Sequence, residues 1–494
     1  MRPEFYEGKW ARLRERPTAE ALKPLAKQIA LSFLDEYFYN DRYEGGYIRL
    51  LCEMATAFED DALNLSGAGA LFGIVIESLC DDFEELQTET YNRVMCQVVT
   101  HCRTLPAGAW LDRRLRDFGM DSYESLFGRI ETFRNHSDAF RPDIRPPKKI
   151  LLLSRVTIGA DVAITSVMIQ RLKRTFPEAE IRVIGGAKLD QIFGGNPDVH
   201  IDVFDYSRRG GLFERFRGWE AVLEGISREA PPDLAREVIL VDPDSRLSQL
   251  GVLPLIGDDQ YLFFNSRGKD SYPKKMSISE LTNHWLDRVF GEGEFRFPRV
   301  WLQKDDLDRA ARFVEGLRAA GCGRVIAINF GVGGNSRKRL SEAFERRLIA
   351  TLLEEPRTVV LLDKGFGEEE LGRTARLMAA FADRPLLDIP FAALPDRAMT
   401  GGLAGVECDI GEIAALISHS DEFIGYDSAC QHIAAAVGVP TYTVFAGSNN
   451  TRFIRRWHAC GPVRSEIIHV DTLTHPPMFD DEDVVARIID ARRV

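Results

Sequence analysis

The chain has 494 residues, 45% of them apolar and 28% charged, a composition with ample core that excludes disorder as the main state. At about 150 residues per domain the length corresponds to roughly three domains, which excludes a single small module. Basic residues number 63 against 75 acidic, a net charge of −12, which is the wrong sign for a nucleic-acid partner but leaves room for a local basic pocket around one diphosphate.

Residues 1–145 read as an all-α domain. The stretch Ala21 to Phe38 repeats apolar residues at spacings of three and four, and so does Tyr91 to Val99. Leu105-Pro106-Ala107-Gly108 punctuates between two such helices. Arg141 to Lys149, RPDIRPPKK, is proline-rich and charged and reads as a linker.

From there the pattern turns α/β. Ile150 to Ser154 is a short continuous apolar run, as in a strand buried on both faces. A loop follows, then a helix expected from about Asp161 to Thr175, then a strand at Ile181 to Ile184. Strand, helix and strand in that order predict a parallel sheet with right-handed crossovers. Further strands are expected at Val238 to Val241 and Tyr261 to Phe264. This series fills a domain over 146–300. A second series, over 301–494, has strands at Val325 to Asn329, Val359 to Leu362, Glu422 to Gly425 and Thr441 to Phe445. Its helices are expected at Ile410 to His419, Ser428 to Val437 and Glu482 to Arg492. The fold class is therefore α/β: two Rossmann-like, doubly wound domains facing a cleft, preceded by the helical domain. Ligands in such sheets bind at the carboxyl ends of the strands.

The eight cysteines form no C-x-x-C pair, so a structural zinc site is not expected, and most sit in apolar segments as free thiols do. The first residues contain no apolar signal region, and no 18-residue apolar run follows. A cytoplasmic protein is expected, with room for a peripheral contact at the inner face of the membrane.

Three loops carry the chemistry. In Ser154-Arg155-Val156-Thr157-Ile158-Gly159-Ala160-Asp161-Val162, a strand runs into a glycine-bearing loop and Asp161 opens a helix. Asp161 is either an N-cap or a carboxylate that accepts the proton of an attacking hydroxyl. In Asn329 to Arg339, NFGVGGNSRKR, a strand ends in glycines followed by three basic residues. Glycines let backbone amides approach an anion and Lys or Arg supplies charge, so this is the composition of a diphosphate site, although neither the P-loop nor G-x-G-x-x-G is present. A solvated turn is the plainer reading. In Gly425 to Pro440, GYDSACQHIAAAVGVP, Asp427-Ser428 caps a helix of small residues whose N-terminus offers amides and a positive dipole end. His432 reads best as an internal hydrogen bond that fixes this loop. After the next strand come Phe445-Ala446-Gly447-Ser448 and then Arg452, Arg455 and Arg456, which either add positive charge near a phosphate or form a solvated helix face.

Together these motifs resemble the ADP-heptose:lipopolysaccharide heptosyltransferase-like family, glycosyltransferase family 9, over about residues 149–470. The family's R-x-x-x-x-G-D-V pattern reads Arg155 to Val162 here, with Ala160 where glycine is usual, and Phe176 to Ile181 continues it. Its D-[ST]-G-P-x-H-x-A-A-A-x-G-x-P motif reads Asp427 to Pro440, with Ala429 and Cys430 in place of Gly and Pro.

The resemblance implies the GT-B architecture and inverting transfer of a sugar from a nucleotide-diphosphate donor, ADP-heptose among the candidates, with no cofactor or metal required. It implies Asp161 as the general base, Lys338 at the donor phosphates with Gly334 and Asn335 in the same loop, and Asp427, Ser428, Ala429 and His432 holding the diphosphate. Glu368 or Glu369 falls near the family's ribose-binding glutamate. Arg155, Arg246 and Arg267 sit where acceptor contacts would fall. The acceptor it implies is a cell-surface glycan, a lipid-linked glycan or a protein, in the manner of lipopolysaccharide biosynthesis. Two other functions fit the same features: a catalytically silent GT-B binding or scaffold protein, and a nucleotide-sugar 2-epimerase. The helices of residues 1–145 would serve homo-oligomerisation, acceptor recognition, or packing against the first sheet.

Overall fold

The computed structural model describes residues 2–80, 83–136, 146–206, 210–231, 237–268, 272–395, 399–474 and 479–493. Two sheets carry the α/β part. The first comprises β1 Lys149–Leu153, β2 Glu180–Gly185, β3 Val199–Val203, β4 Val238–Asp242 and β5 Tyr261–Phe263, in the order β3-β2-β1-β4-β5. The second comprises β6 Arg324–Asn329, β7 Thr358–Asp363, β8 Leu386–Pro390, β9 Gly402–Glu407, β10 Glu422–Tyr426, β11 Thr441–Phe445 and β12 Ser465–His469, in the order β12-β11-β10-β6-β7-β9-β8. Pairing is parallel, with Lys149 opposite Val238 in the first sheet and Gly425 opposite Asn329 in the second. All eight strands expected from apolar runs are present. The four that were not expected are β3, β8, β9 and β12. β3 and β8 lie at sheet edges and have no fully buried position, so neither makes a continuous apolar run.

The strand order fixes where a ligand belongs. In the first sheet β1 has β2 on one side and β4 on the other; in the second, β6 lies between β7 and β10. The chain winds outward in one direction and then in the other. The crevices at the carboxyl ends of β1/β4 and of β6/β10 are thus topological switch points, where open parallel sheets bind their ligands. The three loops singled out above leave the ends of β1, β6 and β10.

The chain packs as two compact units, one of residues 1–156, 182–186 and 202–272, the other of residues 157–181, 187–201 and 273–494. In the first unit the expected helices form, among them Ala19–Asn40, Glu85–Arg103 and Tyr123–Asn135. Thr18 starts the longest by accepting the Ala21 N–H on its side chain, and Asp41 ends it in the left-handed conformation at φ 50°. Leu105–Gly108 is the expected break, a tight turn at Pro106–Gly108. These helices share one continuous core with the first sheet: Phe33, Leu51, Val94 and Ile130 belong to the same cluster as Leu151, Leu153, Leu240 and Phe263. Of the expected linker, residues 141–145 lie outside the described residues, and Lys149 already opens β1.

In the second unit the helix after the β1 loop begins at Ile158, not at Asp161, and its N-cap is Thr157. Residues Asp161–Thr165 form a π-helical turn that leads into Ser166–Thr175. Among the described residues no helix is long and apolar enough to cross a membrane.

Candidate active site

At the β6/β10 crevice the strand ends are tied together by polar side chains. Asn329 ends β6. Its Nδ2 donates to Asp363 Oδ2 at the end of β7 (2.6 Å), and its Oδ1 accepts from the Gly331 amide (3.2 Å) and from Ser428 Oγ (3.4 Å). Asp363 also accepts the Gly365 N–H at 2.9 Å. Burial pushes the Asp363 carboxyl up to about 6, against the pull of the Gly365 amide and Asn329.

That shift has a measurable sign. The folded chain holds the Asp363 proton more tightly than the unfolded chain does. The stability the group contributes is fully present below its ordinary range near 4 and is lost as pH rises through about 6. Asp363→Asn cannot titrate. Between pH 7 and pH 4 the parent should gain on this variant by about 3 kcal/mol, on the order of 1.4 kcal/mol for each pH unit between the two values. Denaturant titrations of both chains across that range read the difference; a pH-independent gap would show that Asp363 does not titrate there.

The loop after β6 crosses the crevice. Gly333 and Gly334 have φ of 59° and 87°, in the left-handed region that a side chain disfavours. Asn335 then caps the turn Ser336–Lys338 by accepting the Arg337 N–H. The turn delivers Lys338, whose Nζ donates to Asp427 Oδ2 at 2.6 Å and to the Asp427 carbonyl at 3.4 Å. The same ammonium lies 5.7 Å from the centre of the Phe453 ring. The far end of the loop is clamped by Tyr426, whose hydroxyl accepts the Leu340 N–H (3.1 Å) and donates to the buried Glu345 (3.0 Å). Arg373 pairs with that carboxylate at 2.6 Å. The loop after β11 closes in as well: a Cβ on Gly447 would come within 2.5 Å of the Arg337 carbonyl.

Asp427 is held at both oxygens, by Lys338 and by Gln431 Nε2 (2.7 Å). Ser428 is the N-cap of the helix Ala429–Ala436 but makes no side-chain capping bond. The amides of the first turn are therefore not taken by that side chain, as an anion-binding helix start requires. His432 differs from its expected role. Its Nδ1 is buried and has no hydrogen-bond partner among the described residues. Burial, with His458 and Lys338 adding, pushes it down to about 3, so it is a neutral ring packed edge-on to Trp457 at 6.0 Å.

Gly159 and Asp161 join this cluster within the second unit. A Cβ on Gly159 would lie 3.2 Å from both Ala429 Cα and His432 Cδ2, so the glycine is what lets the helix Ile158–Ala160 approach the helix Ala429–Ala436. Asp161 is 1% exposed. It does not cap the helix; it accepts from Thr165 Oγ1 at 2.8 Å inside the π-turn. Glu368 and Glu369 open the helix Glu368–Ala379, where Glu369 reaches Arg339 at 3.2 Å. Arg339 also binds Glu370 (3.1 Å). Of the arginines after β11, Arg456 is buried and donates to the Met276 carbonyl (2.6 Å), and Arg455 is exposed.

The three arginines expected at the acceptor lie in the first unit, at the carboxyl ends of β1, β4 and β5. Two are used internally. Arg155 bonds the Pro243 and Asp244 carbonyls and pairs with the Asp244 carboxylate at 3.4 Å. Arg267, 2% exposed, binds the same carboxylate at 2.9 Å and stacks on Tyr91 at 4.4 Å. Arg246 is half-buried, 3.9 Å from Glu77. Residue types alone do not mark Asp363, Tyr426, Glu345 and Gln431 as parts of the site; for Asp363 and Tyr426 the sign is a polar residue ending an apolar strand run, and Glu345 and Gln431, inside helices, carry none.

Residues 397–485, which contain the Asp427–Pro440 motif, match the model of the family described as glycosyltransferase family 9 (heptosyltransferase). The resemblance to glycosyltransferase family 9 holds. A glycosyl transferase family 9 structure from Veillonella parvula matches with a TM-score of 0.50 and 16% identity, over 70% of this chain and 96% of its own. Escherichia coli ADP-heptose LPS heptosyltransferase II matches at 0.44 and 13% identity, over 70% of this chain and all of its own. Escherichia coli heptosyltransferase WaaC with ADP matches at 0.45 and 14% identity, over 69% and 99%. No curated protein matches the sequence. The fold is the GT-B arrangement of two parallel α/β halves with an additional helical region before them, and with the family match it supports a glycosyltransferase of heptosyltransferase-like type. Lys338 and Asp161 lie outside the matched residues.

Proposed function

We propose that the chain is an inverting glycosyltransferase that moves a sugar from a nucleotide-diphosphate donor to a hydroxyl of a cell-surface glycan, lipid-linked glycan or protein. The observation that carries this reading is the meeting of Lys338, Asp427 and the start of the helix Ala429–Ala436 at the β6/β10 switch point. In the free chain the Lys338 ammonium is paired with Asp427. An incoming diphosphate competes for it and for the amides of the helix start. Charge that develops on the leaving diphosphate then falls on a fixed cation and fixed dipoles, which stabilise it without reorganisation. This is the positive charge a metal would otherwise bring, and the reaction is read as metal-independent for that reason.

Inversion needs one base. Asp161 is the candidate, on the segment that packs against the same helix through Gly159. It is buried in the free chain, and catalytic hydrogen bonds commonly align only in the substrate complex. Residues 301–494 would form the donor half and 146–300 the acceptor half. Within the latter, Arg246 at the carboxyl end of β4 is the acceptor contact, while Arg155 and Arg267 bind Asp244.

ADP-heptose is the first donor to try, given the family description. The test is a thermal-shift screen of the intact chain against ADP-, GDP-, UDP- and dTDP-sugars. A ligand at 100 times its Kd stabilises the native state by about 2.7 kcal/mol, so the true donor should raise the melting temperature by several degrees. A folded chain that no nucleotide sugar shifts at millimolar concentration would overturn the reading and favour a scaffold. Conversion of the donor sugar without any acceptor would favour the epimerase.

A further inference from the structure

We propose that Phe366 is the platform on which the donor's nucleobase stacks; the inference rests on reading the β6/β10 crevice as the diphosphate site. Phe366 is 81% exposed, the most exposed large apolar side chain among the described residues of the second unit. It follows β7, which lies beside β6 on the side away from β10. The strand that leads to it runs about one strand spacing, some 5 Å, from the strand that carries the glycine loop.

The backbone that presents it is fixed. Gly365 and Gly367 flank it with φ of 78° and 85°. The Gly365 N–H donates to Asp363 Oδ1 (2.9 Å) and the Phe366 N–H to Glu370 Oε2 (3.0 Å). A Cβ on Gly365 would meet that carboxylate oxygen at 2.5 Å, so only glycine permits the turn. Glu370 is in turn bound by Arg339, the residue after Lys338, and its Oε1 lies 3.5 Å from where a Cβ of Gly331 would be. The segment bearing the phenyl ring and the loop bearing the phosphate-binding lysine are therefore cross-braced through one carboxylate.

Lys188 covers one face of the ring, with its ammonium 5.3 Å from the centroid. The exposure of the ring leaves the other face open. An apolar ring held rigidly in water beside an anion site is matched by a ligand that joins a flat aromatic to a phosphate, which is a nucleotide. Stacking of this kind accepts every base, since each has a π-face, and so it adds affinity for the nucleoside as a class without choosing the base.

The test is calorimetric titration of the full chain with ADP, UDP and inorganic pyrophosphate, using the parent, Phe366→Ala, Phe366→Tyr and Lys338→Ala. Phe366→Ala should weaken ADP and UDP by about tenfold and leave pyrophosphate unchanged, because base–aromatic stacking is the contact with the ligand that is removed. Phe366→Tyr, which keeps the ring, should bind as the parent does. Lys338→Ala should weaken all three. Unchanged ADP and UDP affinity in Phe366→Ala, or a matching loss of pyrophosphate, would overturn the platform while leaving the diphosphate site standing. Failure of the parent to bind any of the three, or equal binding by Lys338→Ala, would overturn the diphosphate site and the platform with it.

Discussion

A chain that begins at residue 146 is expected not to fold. The helices of residues 3–135 are not an appendage on the first sheet; they complete its core. Phe133 meets Tyr261 of β5 edge-on at 4.9 Å, and Arg129 lies 5.0 Å over the same tyrosine ring while binding Asp258 (2.7 Å) and the Gly251 carbonyl (3.2 Å). Tyr91 stacks on Arg267, and Arg215 and Arg217 stack on Phe72 and Trp110, each at 4.0 Å. Removing the helices would bare side chains of the shared cluster on β1, β4 and β5, among them Leu151, Leu153, Leu240 and Phe263. At 1.5–3 kcal/mol for each large apolar side chain, exposing even four costs about 6–12 kcal/mol. That is comparable to the whole stability of an ordinary domain, about 5–15 kcal/mol. It would also strip the partner from the buried Arg267–Asp244 pair. The truncated chain should therefore aggregate on expression or lack a cooperative melt, as read by gel filtration and circular dichroism. A soluble, monomeric, cooperatively melting product would show that the helices are dispensable to the sheet.

The dependence of sheet on helices was not visible in the sequence. The three- and four-residue spacing of Ala21 to Phe38 says that one face is buried; it does not say against what. Packing against the first sheet stood only as one of three roles for residues 1–145. The strands were legible where burial on both faces makes an apolar run, as in Ile150 to Leu153 or Val359 to Leu362, and illegible at the edges, where Val199–Val203 and Leu386–Pro390 have only half-buried and exposed positions.

The site divides in the same way. The glycine loop and the Asp427–Pro440 motif concentrate their chemistry in a few consecutive residues and could be read directly. The residues that brace them could not, because their partners are remote in the chain: Asn329 and Asp363 are 34 residues apart, and Glu345 and Tyr426 are 81 apart. Asp161 shows the opposite limit. An aspartate after a glycine loop looks like an N-cap, yet the helix starts earlier, at Ile158 with Thr157 as its N-cap, and leaves the carboxylate within a π-turn, where it accepts from Thr165. His432 is a third case. A histidine in a capping loop promises a hydrogen bond, but the close approach of Gly159 and Trp457 buries the ring instead.

The largest effect on activity is expected at Asp161. Removing a positioned general base costs a factor of about 10²–10⁴ in turnover. Asp161→Asn keeps the side chain's volume and an oxygen to accept from Thr165, so the fold and the diphosphate site should survive. Only the capacity to take a proton is lost. The central claim, sugar transfer from a nucleotide donor by an aspartate base, is tested most directly by following labelled sugar from the donor selected by thermal shift into a cell-envelope glycan extract, with donor affinity measured in parallel on the same two proteins. The parent should transfer label. Asp161→Asn should transfer at least about a hundredfold more slowly while binding the donor as the parent does. Turnover by Asp161→Asn close to that of the parent would contradict the account.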